Sequence, residues 1–326
     1  MKAVVATDYG PPENYVVADV AVPRPGPGQI QVRIAAASIN PADVVLPGGQ
    51  YREMTPLEFP HVPGNDFAGT VTEVGDGVTA FKVGDEIFGQ AVPRVLKAMA
   101  GATRPSLSTG SLAEYAVFEA DTPLLAHRPP GLDVADAAAL ATTGLTARAL
   151  FLTAQPKAGE TALVVGATGG VGTALVPLLA AAGVDVIATA TAADVALLHD
   201  LGAARTIGYT DAYPRGVDAA FNLAVPGDRL TRIEQAVRSG GRVLTITYPL
   251  PAKERHDIDL EFVLDLDGEL GGMREVAEAA ATGALRATIS RRYTLDEGPR
   301  ACADFVREHT TGKLVILMRR GCPLRT

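Results

Sequence analysis

Tryptophan is absent from the 326 residues, cysteine occurs only twice, and aromatic side chains make up 5% of the chain. The two thiols, Cys302 and Cys322, lie near the C-terminus and cannot supply a disulfide framework or a four-cysteine zinc lobe. Positive charge is also scarce: 29 Lys and Arg against 37 Asp and Glu leave a formal charge of −8. That balance speaks against a nucleic-acid role for the whole protein, because phosphate binding needs a concentrated basic surface. Long apolar runs are lacking. The most apolar stretch, 173–198, is interrupted by Pro177, Gly183, Asp185 and Asp194, and it falls short of the ~20 residues a spanning helix needs. The opening MKAVVATDYG has no signal-peptide core and reads as a strand. The expectation is a soluble, cytoplasmic protein with neither membrane nor nucleic acid as partner.

What is present is ordinary globular material: 47% hydrophobic residues, with 34 Gly and 23 Pro to make tight turns. The length suggests two domains. Up to about residue 125, short β-branched runs at 16–22, 29–34, 68–74, 86–88 and 113–118 alternate with Pro and Gly clusters, as in a compact β-barrel. From about 132 the rhythm changes. Helical segments are predicted at 133–141 and 144–153, then apolar strands at 161–165 and 184–189, followed by helices at 170–182 and 193–201. Further strands fall at 219–223 and 242–247. Strand–helix alternation with continuously apolar strands predicts a parallel sheet covered on both faces. Beyond Pro251 come an alternating segment at 256–264, helices at 269–281 and 297–308, and a closing strand at 313–318. Residues 89–110 stand out as a long irregular connection carrying Arg94, Lys97 and Arg104; it reads either as a solvated loop or as a substrate-facing lid.

The strongest chemical signal is ALVVGATGGVGTALVPLL at 162–179. A buried strand ends at Val165 and a helix begins in the glycines that follow, so backbone amides and the helix dipole point at whatever binds there, as a pyrophosphate requires. Against the G-x-G-x-x-G pattern the chain reads Ala167-x-Gly169-x-x-Gly172, with Gly166 just ahead. The strand–turn–helix context makes this a dinucleotide-binding turn. The second strand ends at Thr189, Ala190 and Thr191 with no carboxylate to hold a ribose 2′-OH, which favours NADP over NAD. Pro177 lies inside the helix and predicts a kink.

These segments, taken in order, resemble the zinc-independent quinone oxidoreductases, related to zeta-crystallin, of the medium-chain dehydrogenase/reductase superfamily. The resemblance rests on SINPADVVLPGGQY at 38–51, VPGNDFAGTVTEVGDGVTAFKVGDEIFG at 62–89, GSLAEYAVFEAD at 110–121, ALATTGLTARALF at 139–151, the glycine turn, and GKLVILM at 312–318. It implies an α/β protein, a GroES-like β-barrel domain (1–125 and 265–326) plus a Rossmann doubly wound parallel-sheet domain (126–264), with the active site in the cleft between them. It also implies a homodimer paired through the Rossmann sheet edges, and 256–264 reads either as that edge or as a strand paired only within the monomer. Zinc-dependent relatives carry Cys where Asn40 stands and Gly-His-Glu where Gly64, Asn65 and Asp66 stand, so the resemblance argues against zinc.

Carried over by position, the resemblance implies that Asn40 and Tyr51 face nicotinamide and substrate as the catalytic pair. Tyr51 is equally well read as an aromatic that closes the pocket. Thr146 is expected to contact the cofactor and Gly169, Gly170 and Val171 the pyrophosphate, with Gly166, Ala167, Thr168 and Gly172 completing the cofactor-binding turn. Thr191 and Tyr209 are expected at the 2′-phosphate, Leu223 and Ala224 at the nicotinamide ribose. Asp43 reads as a helix cap. The implied function is NADPH-dependent hydride transfer to a quinone or α,β-unsaturated carbonyl, the proton coming from Tyr51 or from water. An enoyl-thioester reductase gripping its carrier with Arg94, Lys97 or Arg104, and a non-catalytic NADPH-binding crystallin-like protein, are the alternatives.

Overall fold

The computed structural model describes residues 1–251 and 253–318, so Cys322 lies outside the described residues. The chain forms two compact units. One comprises Met1–Thr142, Leu266–Thr282 and the described part of Ile289–Thr326; the other comprises Thr143–Asp265, apart from residue 252, and Gly283–Thr288.

The first unit is built on a largely antiparallel sheet ordered Val92–Pro93, Leu107–Ser108, Tyr115–Glu119, Gln29–Ser38, Asp66–Val74, Glu86–Gln90, Leu125–His127. The central strand, QIQVRIAAAS, pairs with three neighbours and slips register twice against Asp66–Val74, at Gln31/Val32 and Ile34/Ala36. Such bulges bend and twist a strand, which is how a sheet curls on itself. Its inward face packs Ile30, Val32 and Ile34 against Phe67, Phe118, Leu314 and Ile316, with the Phe67 and Phe118 rings stacked 3.9 Å apart. The strand Lys313–Leu317 closes this unit by pairing antiparallel with the end of Gln29–Ser38, through Val315 opposite Ser38. It thereby delivers Lys313 to the segment that begins at Ile39.

The second unit holds a six-stranded sheet, parallel throughout, ordered Arg205–Gly208, Asp185–Ala190, Thr161–Val165, Val217–Asn222, Val237–Thr245, Asp259–Phe262. The central strands are apolar on both faces, Leu163, Val164, Val186 and Phe221 all being almost fully buried, as a doubly covered sheet demands.

The structure differs from the sequence reading in several places. The helices expected at 133–141 and 144–153 are one helix, Val134–Ala154; Gly144 does not break it, because packing offsets the ~1 kcal/mol propensity cost of a helical glycine. This 21-residue helix, not 173–198, is long and apolar enough to cross a membrane, but 67% of its apolar 18-residue window is buried inside the protein, as for a core helix. The strands Arg205–Gly208 and Ile289–Thr294 were missed. ISRRYT carries two arginines and becomes a strand by pairing with Lys313–Leu317, a partner remote in sequence. The 89–110 connection is ordered by a short parallel pairing of Val92–Pro93 with Leu107–Ser108 around a 3₁₀ turn, Arg94–Met99.

Candidate functional site

The nucleotide-binding turn follows from backbone geometry. Gly166 ends the strand Thr161–Val165 with φ +89°, a conformation glycine adopts without Cβ strain. A Cβ there would lie 2.9 Å from Ala224 Cβ and 3.2 Å from Leu223 Cβ, so the turn and the Leu223–Ala224 segment are in direct contact. The first glycine of the fingerprint is thus displaced by one residue rather than lost: Gly166 makes the tight turn and Ala167 is simply buried beside it. The Gly166 N–H donates to Thr189 Oγ1 at 2.9 Å, joining the ends of two neighbouring strands.

Gly169 caps the helix Gly170–Ala181, and a Cβ on it would meet nothing nearer than Gly166 O at 3.5 Å. Gly172 is the reverse case. Its Cβ would fall 2.5 Å from the Ala167 backbone, so it serves close packing of helix on strand. Gly169, Gly170 and Val171 are half-buried, and the open side of Gly169 at a helix N-terminus fits a pyrophosphate. Asn222, fully buried, sets the adjacent loop: its amide donates to Val225 O at 2.7 Å and sits 2.9 Å from both Thr245 Oγ1 and Thr247 Oγ1, while its oxygen accepts the Val225 N–H. The sequence reading had no part for it.

At the same end of the sheet, Thr168 Oγ1 and Tyr209 Oη lie 2.9 Å apart, which brings two of the expected cofactor residues together. Burial pushes the Tyr209 phenol up, with the Thr168 hydrogen bond working against it and the charge of Asp194 adding to it. Thr191 precedes a short 3₁₀ turn, and its hydroxyl donates to Asp194 Oδ2 at 2.5 Å. The expectation that no carboxylate stands beside the strand end is therefore corrected: Asp194, buried, is brought there by the 3₁₀ turn three residues on. Between Thr189 and Tyr209 the basic residues are His199 and Arg205. Arg205 starts its strand at the far end, and His199 Nδ1 pairs with Ala203 O. Thr146 sits half-buried on Val134–Ala154 with no hydrogen bond to the turn.

In the first unit, Asn40 lies 5% exposed at the start of the short helix Pro41–Val45. Asp43 acts as the cap that was expected: its Oδ2 accepts the Asn40 N–H at 2.8 Å, and its Oδ1 accepts Gly64 N–H at 3.1 Å. Burial pushes the Asp43 carboxyl up to about 7, the two N–H bonds and Lys313 working against it and Asp66 with it. The buried Lys313 ammonium donates to Ile39 O at 2.6 Å and Asn40 Oδ1 at 2.7 Å, and lies 3.5 Å from Asp66 Oδ2. Asp66 also accepts from Ser38 Oγ at 2.8 Å and Thr142 Oγ1 at 2.5 Å. The sequence reading assigned nothing to Lys313 or Asp66 beyond their motifs; a lysine inside an apolar closing strand was the available signal.

This donor set does not suit zinc. Asn40 offers neither thiolate nor imidazole, and its oxygen already accepts from a cation. Among the described residues, no group of three or more His, Cys, Asp or Glu is placed to hold a metal. Tyr51 is half-buried in the turn after Pro41–Val45, where its carbonyl accepts from Thr55. Its phenol makes no hydrogen bond among the described residues, so nothing there joins it to Asn40. Arg94 and Arg104 pair locally, with Glu119 at 3.4 Å and Asp121 at 2.9 Å. His61 is buried and its pKa is lowered to about 4 by desolvation, as befits a neutral structural imidazole.

Two family models match the chain: the alcohol dehydrogenase GroES-like domain over residues 26–129, and zinc-binding dehydrogenase over residues 182–316. The fold is accordingly a GroES-like β-barrel domain plus a Rossmann-type parallel-sheet domain. The quinone oxidoreductase of Rattus norvegicus is 30% identical, the match covering 96% of each chain. An NADPH-dependent alkenal/one oxidoreductase of Arabidopsis thaliana chloroplasts is 28% identical over 97% of this chain and 79% of its own. A mycobacterial protein solved in complex with NADPH superposes with a TM-score of 0.81 at 26% identity, covering 97% of this chain and 99% of its own.

Proposed function

From the premise that this chain belongs to the quinone oxidoreductase family of the medium-chain dehydrogenases/reductases, and is an oxidoreductase that uses a nicotinamide cofactor, we propose that it reduces quinones or α,β-unsaturated carbonyls with NADPH. The observation that carries this reading is the turn Gly166–Gly172, with an open glycine at the mouth of a helix that follows a central parallel strand. The names of the relatives support both the donor and the substrate class.

NADPH, when bound, supplies the hydride. The protein supplies position and charge. The amides at Gly169, Gly170 and Val171 hold the pyrophosphate, Leu223 and Ala224 border the ribose beside Gly166, and the hydroxyls of Thr168, Thr191 and Tyr209 serve the adenosine end. As the substrate oxygen gains negative charge, the Asn40 amide donates a hydrogen bond to it, a contribution that grows toward the transition state. Tyr51 closes the substrate side, with the proton coming from its phenol or from water. The protein acts as a homodimer through the edge strand Asp259–Phe262, where Tyr248 packs edge-on against Phe262 and after which Leu264 is exposed.

The test is titration of the purified protein with NADPH and NADH, then 1,4-benzoquinone and a short 2-alkenal. Nucleotide oxidation that depends on the acceptor is expected. Nucleotide binding without turnover on either acceptor refutes the substrate class, and no nucleotide binding refutes the whole reading.

A further inference from the structure

Lys313 is a cation in the interior of the barrel unit that the chemistry above leaves unused. Its side chain is 7% exposed, and that of Asp66 is fully buried. The ammonium has three donors and no acceptor, and each donor has a destination: Ile39 O, Asn40 Oδ1 and Asp66 Oδ2. The consequence falls on Asn40. A primary amide can turn either its oxygen or its nitrogen toward a neighbour, and a neighbour that only donates permits one choice. Oδ1 must face Lys313, so the N–H pair faces the other way. That pair is weakly committed, its protein contact being Ser38 O at 3.5 Å, long for a hydrogen bond.

We propose that Lys313 is a positioning residue: it locks the Asn40 amide with its N–H groups free to donate to the oxygen that becomes negative in the reaction, and polarises that amide as it does so. The inference rests on the role given to Asn40 above. Polarisation along a hydrogen-bond chain strengthens the terminal donor in a low-dielectric interior, and a lysine held by a strand has little freedom to follow another geometry. The titratable groups facing the ammonium are Asp66 and Asp43, which raise its pKa against the lowering caused by burial.

Lys313→Met by itself leaves Asp66 buried without its cation, so the informative variant is K313M/D66N. The amide that takes the place of the Asp66 carboxylate in this variant can still accept from Thr142 through its oxygen and donate to Ser38 through its nitrogen. With NADPH and 1,4-benzoquinone, kcat should fall roughly 10–100-fold, a fraction of what removing a whole oxyanion donor costs, while the NADPH Kd stays within about twofold. Adding N40A to K313M/D66N should lower kcat no further than N40A/D66N does, because both changes remove one donor. A kcat within about threefold of the wild type, or losses from K313M and N40A that multiply, overturns the proposal. If N40A by itself leaves kcat intact, the role given to Asn40 fails instead, and the two failures are told apart. A neutron structure of the deuterium-exchanged wild-type protein tests the geometry without any substitution: deuterium on the Asn40 nitrogen facing away from Lys313 is expected, and the nitrogen turned toward Lys313 overturns the proposal whatever the variants do.

Discussion

Two glycines three residues apart should respond in opposite ways to the same methyl group. At Gly172 a Cβ would lie 2.5 Å from the Cα, C and O atoms of Ala167. These are backbone atoms of the buried turn between strand and helix and cannot rotate away. Gly172→Ala must therefore push the helix Gly170–Ala181 off its strand, at the ~1–3 kcal/mol typical of overpacking. At Gly169 the backbone has φ −71° and the Cβ position is open. Gly169→Ala should lose no more than about 1 kcal/mol from the weaker N-cap, but its methyl occupies the space through which a phosphate approaches. Urea unfolding followed by far-UV circular dichroism separates the two effects in stability. The fluorescence of bound NADPH, excited where aromatic side chains do not absorb, gives the affinity. G172A should have a clearly lower unfolding midpoint. G169A should keep a midpoint near that of the wild type while NADPH binds roughly tenfold or more weakly, a loss of ~1.4 kcal/mol. G172A as stable as the wild type, or G169A binding NADPH unchanged, would refute the division of labour between packing and ligand approach.

Thr189→Val keeps the shape of a fully buried side chain but strips the Gly166 N–H of its acceptor; a loss of about 1 kcal/mol or more in urea is expected, and an unchanged midpoint would count against that bond. Asp194→Asn should tighten NADPH more than NADH, by about fivefold or more, since a unit charge about 4 Å away is worth ~1 kcal/mol even at the dielectric of bulk water; isothermal titration with both nucleotides decides, and an equal change for both removes Asp194 from the 2′ position. Asp43 sets a pH dependence. Its folded pKa of about 7 lies above the ordinary value of 3.8, so the unfolded chain releases the proton first. Its contribution to stability is fully present below about pH 4 and is lost as pH rises through about 7, by about 4 kcal/mol over that window at 1.36 kcal/mol per unit. Urea unfolding from pH 4.5 to 7.5 should show that decline in the wild type and a much flatter profile in Asp43→Asn; parallel profiles would refute the assignment.

Local signals carried the parallel-sheet unit. Apolar runs such as TALVV bury both faces, and a glycine placed directly after such a run lets the chain turn sharply through positive φ into the next helix, so strand, turn and helix were legible together. The capping role of Asp43 was legible for the same reason, since a cap acts across three residues. What local pattern cannot encode is which distant segments become neighbours. ISRRYT is a strand because Lys313–Leu317 lies beside it, and Asp194 reaches the end of the second strand because a 3₁₀ turn folds it back onto Thr191. Lys313 and Asn40 stand 273 residues apart in the chain, and no periodicity links them. The sequence by itself determined the nucleotide-binding turn and the parallel sheet, because each depends on residues close together in the chain. Only the tertiary structure decided which way the Asn40 amide faces, because a buried ammonium brought in by the last strand of the barrel imposes that orientation through space.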